Sequence, residues 1–533
     1  MSGLWYELTH DLSLGSALLL IGYVITLCVI ALYGAHRYAL TWLYWKHRDV
    51  THTPAEPFDQ LPRITVQLPM FNEGLVSERV IDAACNLDYP RELLEVQVLD
   101  DSTNDSVEIS RAAVERWKAQ GVDITHLHRT DRTGYKAGAL AEGMKSATGE
   151  FIAIFDADFI PKPDLLRNVV DHFTDDEVGM VQVRWDHLNR DASLLTKSQA
   201  IFLDGHFVIE HTARNRSGRF MHFNGTAGVW RKRTIDDAGG WQHDTLTEDL
   251  DLSYRAQLKG WNFVYLPQYA APAELPPEIL AFKQQAHRWT KGSVQTGIKL
   301  LPRVLASPQL PYAIKSEAFF HLTNTVVHPL IVILTVLIYP AFIAVSGPLK
   351  DYPLAGVLFG VTMFILATCG ASTFFLVAQR ELFGKGSFWK TLLHLPALMA
   401  LGVGMSLSNA KAFWEGVFQD RHSKRNEFVR TPKFGVAGKV NPVDEPTVNE
   451  TPAADDVQWW LKKLPLPIVE IAFGTYMLSF IFISVWYGFA LASIPFTAMF
   501  AAGYFYVGFT SLRSLWLLHE DRVAAREAAA KVA

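Results

Sequence analysis

Three cysteines in 533 residues are too few for a disulfide framework or a cysteine-rich zinc site. Cys28, Cys85 and Cys369 stand apart in apolar or helical patterns, where a reduced, structural role is the default. Basic charge is not in excess either. The chain sets 49 Lys+Arg against 54 Asp+Glu, a net charge of −5, so it lacks the footprint of a nucleic-acid binder. Neither G-x-G-x-x-G nor G-x-x-x-x-G-K-[ST] occurs, which argues against dinucleotide and P-loop mechanisms. What the chain does have is 12% aromatic and 49% hydrophobic residues. That composition excludes disorder, and the apolar residues are unevenly spread.

Leu14–Ala35 is uncharged and long enough to cross about 30 Å of hydrocarbon as a helix. No basic segment precedes it, and Glu7 and Asp11 do, so it reads as an uncleaved span rather than a signal peptide. Comparable runs are Thr325–Ser346, Leu354–Ala378, Ile471–Ala490 and Ile494–Leu512. Arg37, Lys46 and Arg48 follow the first span, and Met1–Ser13 carries neither Lys nor Arg. The positive-inside rule then places the N-terminus outside and the block after the span in the cytosol. Phe388–Ala410 is apolar but holds Lys390, His394 and Pro396. Were it to cross, the basic stretch Lys411–Lys439 would lie outside. It is expected to be interfacial or re-entrant. That leaves five crossings, with the C-terminal tail (Arg522, Arg526, Lys531) inside a multi-pass plasma (inner) membrane protein.

The block between the first two spans alternates strand and helix patterns. Arg63–Leu68, Glu95–Leu99, Ile124–His128 and Phe151–Phe155 read as strands, separated by helical patterns at Leu75–Asn86, Asp105–Ala119 and Lys136–Ala147. The alternation predicts an α/β fold with a mostly parallel sheet, whose ligands lie beyond the carboxyl ends of the strands. The expected organisation is a helix and linker over 1–60, a cytosolic α/β domain over 61–275 and interface helices over 276–320. Two spans follow over 321–380, an interfacial helix and cytosolic loop over 381–465, and two spans with a tail over 466–533.

The strand ends carry the chemistry. Pro69-Met70-Phe71-Asn72-Glu73 follows the first strand, Asp100-Asp101-Ser102 the second and Asp156-Ala157-Asp158 the fourth. Two carboxylates around one small residue offer hard oxygens for an octahedral Mg²⁺ or Mn²⁺, although such a triplet also arises by chance. Thr247-Glu248-Asp249 opens a helical pattern, so its acids serve equally as a helix cap or as a general base. Gln285-Ala286-His287-Arg288-Trp289 precedes the second span. By itself it is compatible with an amphipathic interface helix that has a snorkelling Arg.

Taken together and in order, these motifs with Lys136-Ala137-Gly138 resemble the membrane-embedded, inverting family 2 glycosyltransferases, above all the cellulose synthase and cellulose synthase-like mannan and glucan synthases. The likeness covers residues 61–300 by motif and the flanking spans by layout. It implies a GT-A fold, a divalent cation (Mg²⁺ or Mn²⁺), a nucleotide-sugar donor and a growing glycan acceptor. Residue by residue, Asp156 and Asp158 resemble the metal ligands, Asp249 the catalytic base beside Glu248, and Asp101 and Lys136 donor contacts. Pro69 and Glu73 belong with these donor contacts. Gln285 and Arg288 match Q(Q/R)xRW on the diphosphate, and Trp289 is its acceptor-stacking member. Ala286 departs from the motif, removing a polar side chain. Phe223, Asn224, Gly225 and Thr226 resemble the acceptor loop. Phe428, Thr431 and Lys433 resemble the FxVTxK gating loop, with Arg430 in place of Val.

The resemblance implies a processive polymer synthase that passes a β-linked glucan or mannan through its own spans. UDP-glucose is the first expected donor and GDP-mannose the second. His328, Asn324, Phe319, Phe320, Trp486, Tyr487, Tyr504 and Tyr506 are candidates for lining the path. Membrane lipid is an expected partner, nucleic acid is not, and the layout leaves room for an extracytoplasmic partner protein. A lipid glycosyltransferase acting on ceramide or a polyprenyl phosphate shares the RW motif and is the alternative. An inactive, transporter-like protein is disfavoured because every catalytic carboxylate is present.

Overall fold

The computed structural model describes residues 13–54, 56–346, 362–363, 365–418, 463–488 and 491–532. The first apolar run forms one helix, α1 (Leu14–His47), and the Ser13 hydroxyl caps it by accepting the Ser16 N–H at 3.2 Å.

Strands and helices then alternate as the periodicity predicts. They are β1 (Ile64–Met70), α2 (Gly74–Cys85), β2 (Leu94–Asp100), α3 (Ser106–Ala119), β3 (Asp123–His128), α4 (Tyr135–Ser146) and β4 (Phe151–Ile154). β1 and β2 are buried along their whole length, as parallel strands covered on both faces must be. β5 (Val178–His187), α5 (Leu194–Asp204), β6 (Gly228–Arg231), α6 (Glu248–Leu258) and β7 (Asn262–Ala273) complete one seven-stranded sheet, in the order β3-β2-β1-β4-β6-β5-β7. Every ladder is parallel except those of β6, which runs antiparallel to β4 and β5. β6 is four residues long, too short for its periodicity to show in the sequence. Its reversal has a consequence for the site. The start of β6 sits at the carboxyl end of β4, so the loop before β6 meets the loop after β4.

Beyond the sheet lie α7 (Ile279–Ala306), α8 (Tyr312–Thr323), α9 (Val327–Ser346), α10 (Gly370–Phe383), α11 (Ser387–Gly404), α12 (Ser406–Phe418), α13 (Pro465–Tyr487) and α14 (Ile494–Val532). Among the described residues, three segments are long and apolar enough to cross a membrane: Leu14–His47, Tyr312–Ala344 and Pro465–Tyr487. A fourth joins them if α11 and α12, bent by 43°, form one span. Two of the five expected crossings are therefore not among these three. Leu354–Ala378 falls partly outside the described residues, and Ile494–Leu512 opens the 39-residue α14, where Thr497, Gly503, Tyr504 and Tyr506 dilute the apolar character. Phe428, Thr431 and Lys433 also lie outside the described residues.

Of the residues expected along a glycan path, Tyr504 is fully buried, and its hydroxyl bonds Thr335 at 3.0 Å and Ser406 at 3.1 Å. It holds α9, α12 and α14 together rather than lining a path. Trp486 and Tyr487 are 84% and 73% exposed, as belt aromatics are.

α11 and α14 touch backbone to backbone. A Cβ on Gly503 would collide with the Ala400 carbonyl, and one on Gly404 with the Gly503 carbonyl. Gly503→Val is therefore expected to destabilise the folded chain by about 1–3 kcal/mol, read as a lower melting temperature in detergent. Gly402→Ala, where a Cβ meets nothing within 4 Å among the described residues, should leave the melting temperature unchanged.

Candidate active site

The loops at the carboxyl end of the sheet hold one another in place before any ligand arrives. Asn72 adopts a left-handed conformation (φ 54°), which Asn tolerates better than most residues. Its N–H donates to Ser102 Oγ at 2.8 Å, and its Oδ1 accepts the Thr103 N–H at 2.8 Å, tying the loop after β1 to the loop after β2. Asp101 is gripped in a two-pronged fashion by Arg129, at 2.7 and 2.6 Å. The carboxylate expected to meet the donor's nucleotide is thus oriented by a guanidinium from the loop after β3. Nothing in the sequence pattern singled out Arg129.

Lys136 stands at the centre. Its Nζ donates to Asp156 Oδ1 at 2.5 Å and to the Gly225 carbonyl at 2.9 Å, and lies 4.0 Å from Glu248 Oε1. Burial by itself would lower the Lys136 pKa; the Asp156 and Glu248 carboxylates outweigh it and raise the value. Gly225 has φ 82°, and a Cβ there would lie 3.0 Å from Asp249 Oδ2 and 3.4 Å from Lys136 Nζ. Only glycine lets this backbone pass between the two groups.

Pro69, Glu73, Asp101, Lys136, Asp156, Asp158, Asn224, Gly225, Glu248, Asp249, Gln285, Arg288 and Trp289 all line one cavity. Two members of the expected acceptor set do not. Phe223 is fully buried edge-on against Trp230, with ring centroids 5.6 Å apart, in the core beneath the loop. Thr226 is fully buried, and its Oγ1 accepts the Asp156 N–H at 2.9 Å. Both are corrected from facing the acceptor to supporting the loop. Asn224 and Gly225 face the cavity, while Phe223 and Thr226 on either side of them find their partners beneath the loop. Gln182 on β5 completes that support. Its Nε2 donates to the carbonyls of Val183, Thr226 and Ala227 at 2.9, 3.0 and 2.9 Å, and its Oε1 accepts the Asn224 N–H at 3.1 Å. Arg132, with its guanidinium 3.3 Å over the Phe71 ring centroid, also lines the cavity. Neither Gln182 nor Arg132 has a spacing signature that could have revealed it.

The charge is lopsided. Among the described residues, seven lining carboxylates (Glu73, Asp101, Asp156, Asp158, Glu248, Asp249, Glu274) face three lining cations, Arg132, Lys136 and Arg288. Hard carboxylate oxygens at Asp156 and Asp158, in acidic surroundings, suit Mg²⁺ or Mn²⁺ by donor chemistry. Burial, and next the Glu248 carboxylate, push Asp249 up to about 7. A carboxylate so tuned is ionised in part at neutral pH and is a competent proton acceptor.

α7 brings Gln285, Arg288 and Trp289 to this cavity and also touches the Leu246–Thr247 turn. A Cβ on Gly292 would lie 2.6 Å from Thr247 Cγ2. Gln295 Oε1 accepts the Leu246 N–H at 3.1 Å, and the Thr247 and Thr296 hydroxyls are 3.0 Å apart. On its other side, α7 packs on α12, where a Cβ on Gly416 would lie 3.0 Å from the Lys291 carbonyl and His287 pairs with Glu415 at 2.9 Å.

Comparison with known proteins gives a consistent set of relatives. Residues 62–292 match the family described as glycosyltransferase-like family 2. Glucomannan 4-beta-mannosyltransferase 1 of Oryza sativa subsp. japonica is 38% identical over 387 residues, 71% of this chain and 70% of that one. Glucomannan 4-beta-mannosyltransferase 2 of Arabidopsis thaliana is 38% identical over 304 residues, 54% of this chain and 57% of that one. Among solved structures, a mannosyltransferase from Pyrobaculum calidifontis in complex with GDP-Man and Mn²⁺ is 22% identical. It covers 67% of this chain and 99% of that one, with a TM-score of 0.46.

The titration of Asp249 sets a pH dependence. Were its ionised form the proton acceptor, activity would rise through about pH 7 and be lost as pH falls below it. Glu248→Gln removes the neighbouring negative charge, lowers the Asp249 pKa and should move the acid limb of kcat/KM to lower pH. An unmoved limb in the residual activity of Glu248→Gln would show that Asp249 is not the titrating group.

Proposed function

The chain belongs to glycosyltransferase family 2, in its cellulose synthase-like group, and has a GT-A-like fold; from this premise we propose that it is a processive, inverting enzyme that builds a β-linked mannan-type polysaccharide from a nucleotide sugar. The observation that carries the reading is the convergence of Asp249, Lys136, Asp156, Asp158, Arg288 and Trp289 on one cavity.

GDP-mannose is the first proposed donor. This reverses the order expected from the sequence, where UDP-glucose came first, because the relatives are named glucomannan 4-beta-mannosyltransferases. The same names disfavour the lipid glycosyltransferase alternative. Asp156 and Asp158 would hold the divalent cation, Mg²⁺ or Mn²⁺, which when bound offsets negative charge on the donor diphosphate. Lys136 and Arg288 add fixed positive charge beside the departing group. Asp101, oriented by Arg129, meets the nucleotide. Trp289 stacks on the acceptor sugar, and Asn224 with Gly225 borders it. Asp249 takes the proton from the attacking hydroxyl. One displacement with one base inverts the anomeric centre, so an α-linked donor yields a β-linkage.

The proposed setting is a multi-pass plasma (inner) membrane protein with its catalytic domain and C-terminus in the cytosol and its N-terminus outside. The segment with Phe428, Thr431 and Lys433 would act as the cytosolic loop over the donor.

Asp249→Asn is expected to abolish transfer while leaving nucleotide-sugar binding within a few-fold of wild type; substantial residual turnover refutes the base assignment. Purified full-length protein, incubated with radiolabelled GDP-mannose or UDP-glucose and Mg²⁺ or Mn²⁺, should yield insoluble polymer from GDP-mannose that an endo-β-1,4-mannanase digests. Label that is solvent-extractable and lipid-linked would instead establish the alternative.

A further inference from the structure

A second cluster of metal-binding side chains lies beside the catalytic cavity and plays no part in the chemistry above. Residues Gly205–His211 continue α5 as a π-helical turn. Its i→i+5 hydrogen bonding widens the helix, so residues five apart share a face, and such turns recur at functional sites. His206 and His211 are five apart, and their ring centroids lie 4.5 Å from each other. His222, which enters from the loop before β6, places its ring 5.0 Å from His211 and 5.4 Å from His206. One nitrogen from each of the three rings lies within 4.8 Å of the other two.

The hydrogen bonds around the cluster leave two imidazole lone pairs directed at one neutral amide, which a bound cation would displace. His206 Nδ1 is 2.9 Å from Glu210 Oε2, so this nitrogen carries the proton and Nε2 is left as an acceptor. The Asn224 amide nitrogen, a donor only, is 3.1 Å from His206 Nε2 and 3.2 Å from His222 Nε2. Both Nε2 atoms therefore face it with lone pairs. His211 is fully buried, and among the described residues neither of its ring nitrogens makes a hydrogen bond of good geometry, although the Asn224 side chain lies close enough to act on it. A buried imidazole in that state is costly unless something else satisfies it. Burial also holds all three rings well below the ordinary histidine value, His222 at about 3, so they stay neutral and able to ligate. The surrounding charges balance: Glu210 and Glu317 are matched by Arg37 and Arg214.

We propose that His206, His211 and His222 form a binding site for one cation of the Zn²⁺ class, which fastens the loop His222–Thr226 to the π-helical turn. Three imidazoles without carboxylate or thiolate favour a borderline ion such as Zn²⁺ in a tetrahedral site. Asp156 and Asp158 offer hard oxygens and a different preference. The two sites are joined through the loop: His222 and Asn224 lie at the histidine cluster, while the Gly225 carbonyl accepts from Lys136. A cation at the histidines is thus a positioning device for the acceptor side of the cavity, not a reacting group.

The test uses tag-free, full-length protein stripped with a chelator and dialysed against Zn²⁺ in excess Mg²⁺. One Zn²⁺ per chain is expected by mass spectrometric metal analysis, and it should survive in Asp158→Asn. It should fall to background in His211→Gln and in His222→Gln at unchanged melting temperature of the stripped protein. X-ray absorption on the wild-type Zn²⁺ form needs no variant, and should show imidazole scattering from three rings with Zn–N at about 2.0–2.1 Å. No Zn²⁺ in the wild-type chain, Zn²⁺ retained in both glutamine variants, or a spectrum without imidazole scattering would each overturn the site.

Discussion

The ammonium of Lys136 sits between two carboxylate-bearing loops that would otherwise repel each other and is steadied by a carbonyl from a third. Asp156 comes from the end of β4, Glu248 and Asp249 from the turn that opens α6, and Gly225 from the loop before β6. Two or more carboxylates brought this close in a low-dielectric cleft raise one another's pKa and resist ionisation together. Lys136, fixed by a backbone carbonyl as well as by a carboxylate and joined in the cavity by Arg288, lets the acids gather without expelling each other. Burial, and next the remaining negative charge of Glu248, still raises Asp249, and the acidic surroundings suit a divalent ion. The proposed division of labour therefore follows from one charge balance: Asp249 as base, Asp156 and Asp158 as ligands.

Around that centre, the protein spends much of its buried hydrogen bonding on holding the loops rather than on the chemistry. Gln182 satisfies the turn through Asn224, Thr226 and Ala227, Thr226 holds the backbone of Asp156, and Arg129 sets Asp101. Reacting groups on loops need such support, because a displacement of about 1 Å at the reacting atoms costs orders of magnitude in rate.

α7 connects this site to the apolar helices. One stretch of it carries Gln285, Arg288 and Trp289 into the cavity. The next turns carry Gly292, Gln295 and Thr296 against the Leu246–Thr247 turn, and its opposite side rests on α12 through Gly416 and the His287–Glu415 pair. Movement of the bent α11–α12 pair would therefore reach the turn before Asp249 through a single rigid helix.

The sequence alone determined what is local or periodic. The first four strands and the helices between them were legible because each carries its own apolar period and turn chemistry. The carboxylates at the strand ends were legible because α/β folds put ligands there. Ala286 marked a departure from the resembled motif, and the structure places it among buried residues at 8% exposure. Only the tertiary structure decided what depends on contacts far apart in the chain. The reversal of β6 brought Thr226 under Asp156, Phe223 found its partner beneath the loop, Arg129 and Gln182 found theirs, and a π-helical turn gathered His206 and His211 with His222. None of these has a sequence period to betray it. Each is set by where two distant backbones meet, and that is fixed by the packing of the whole sheet and its helices.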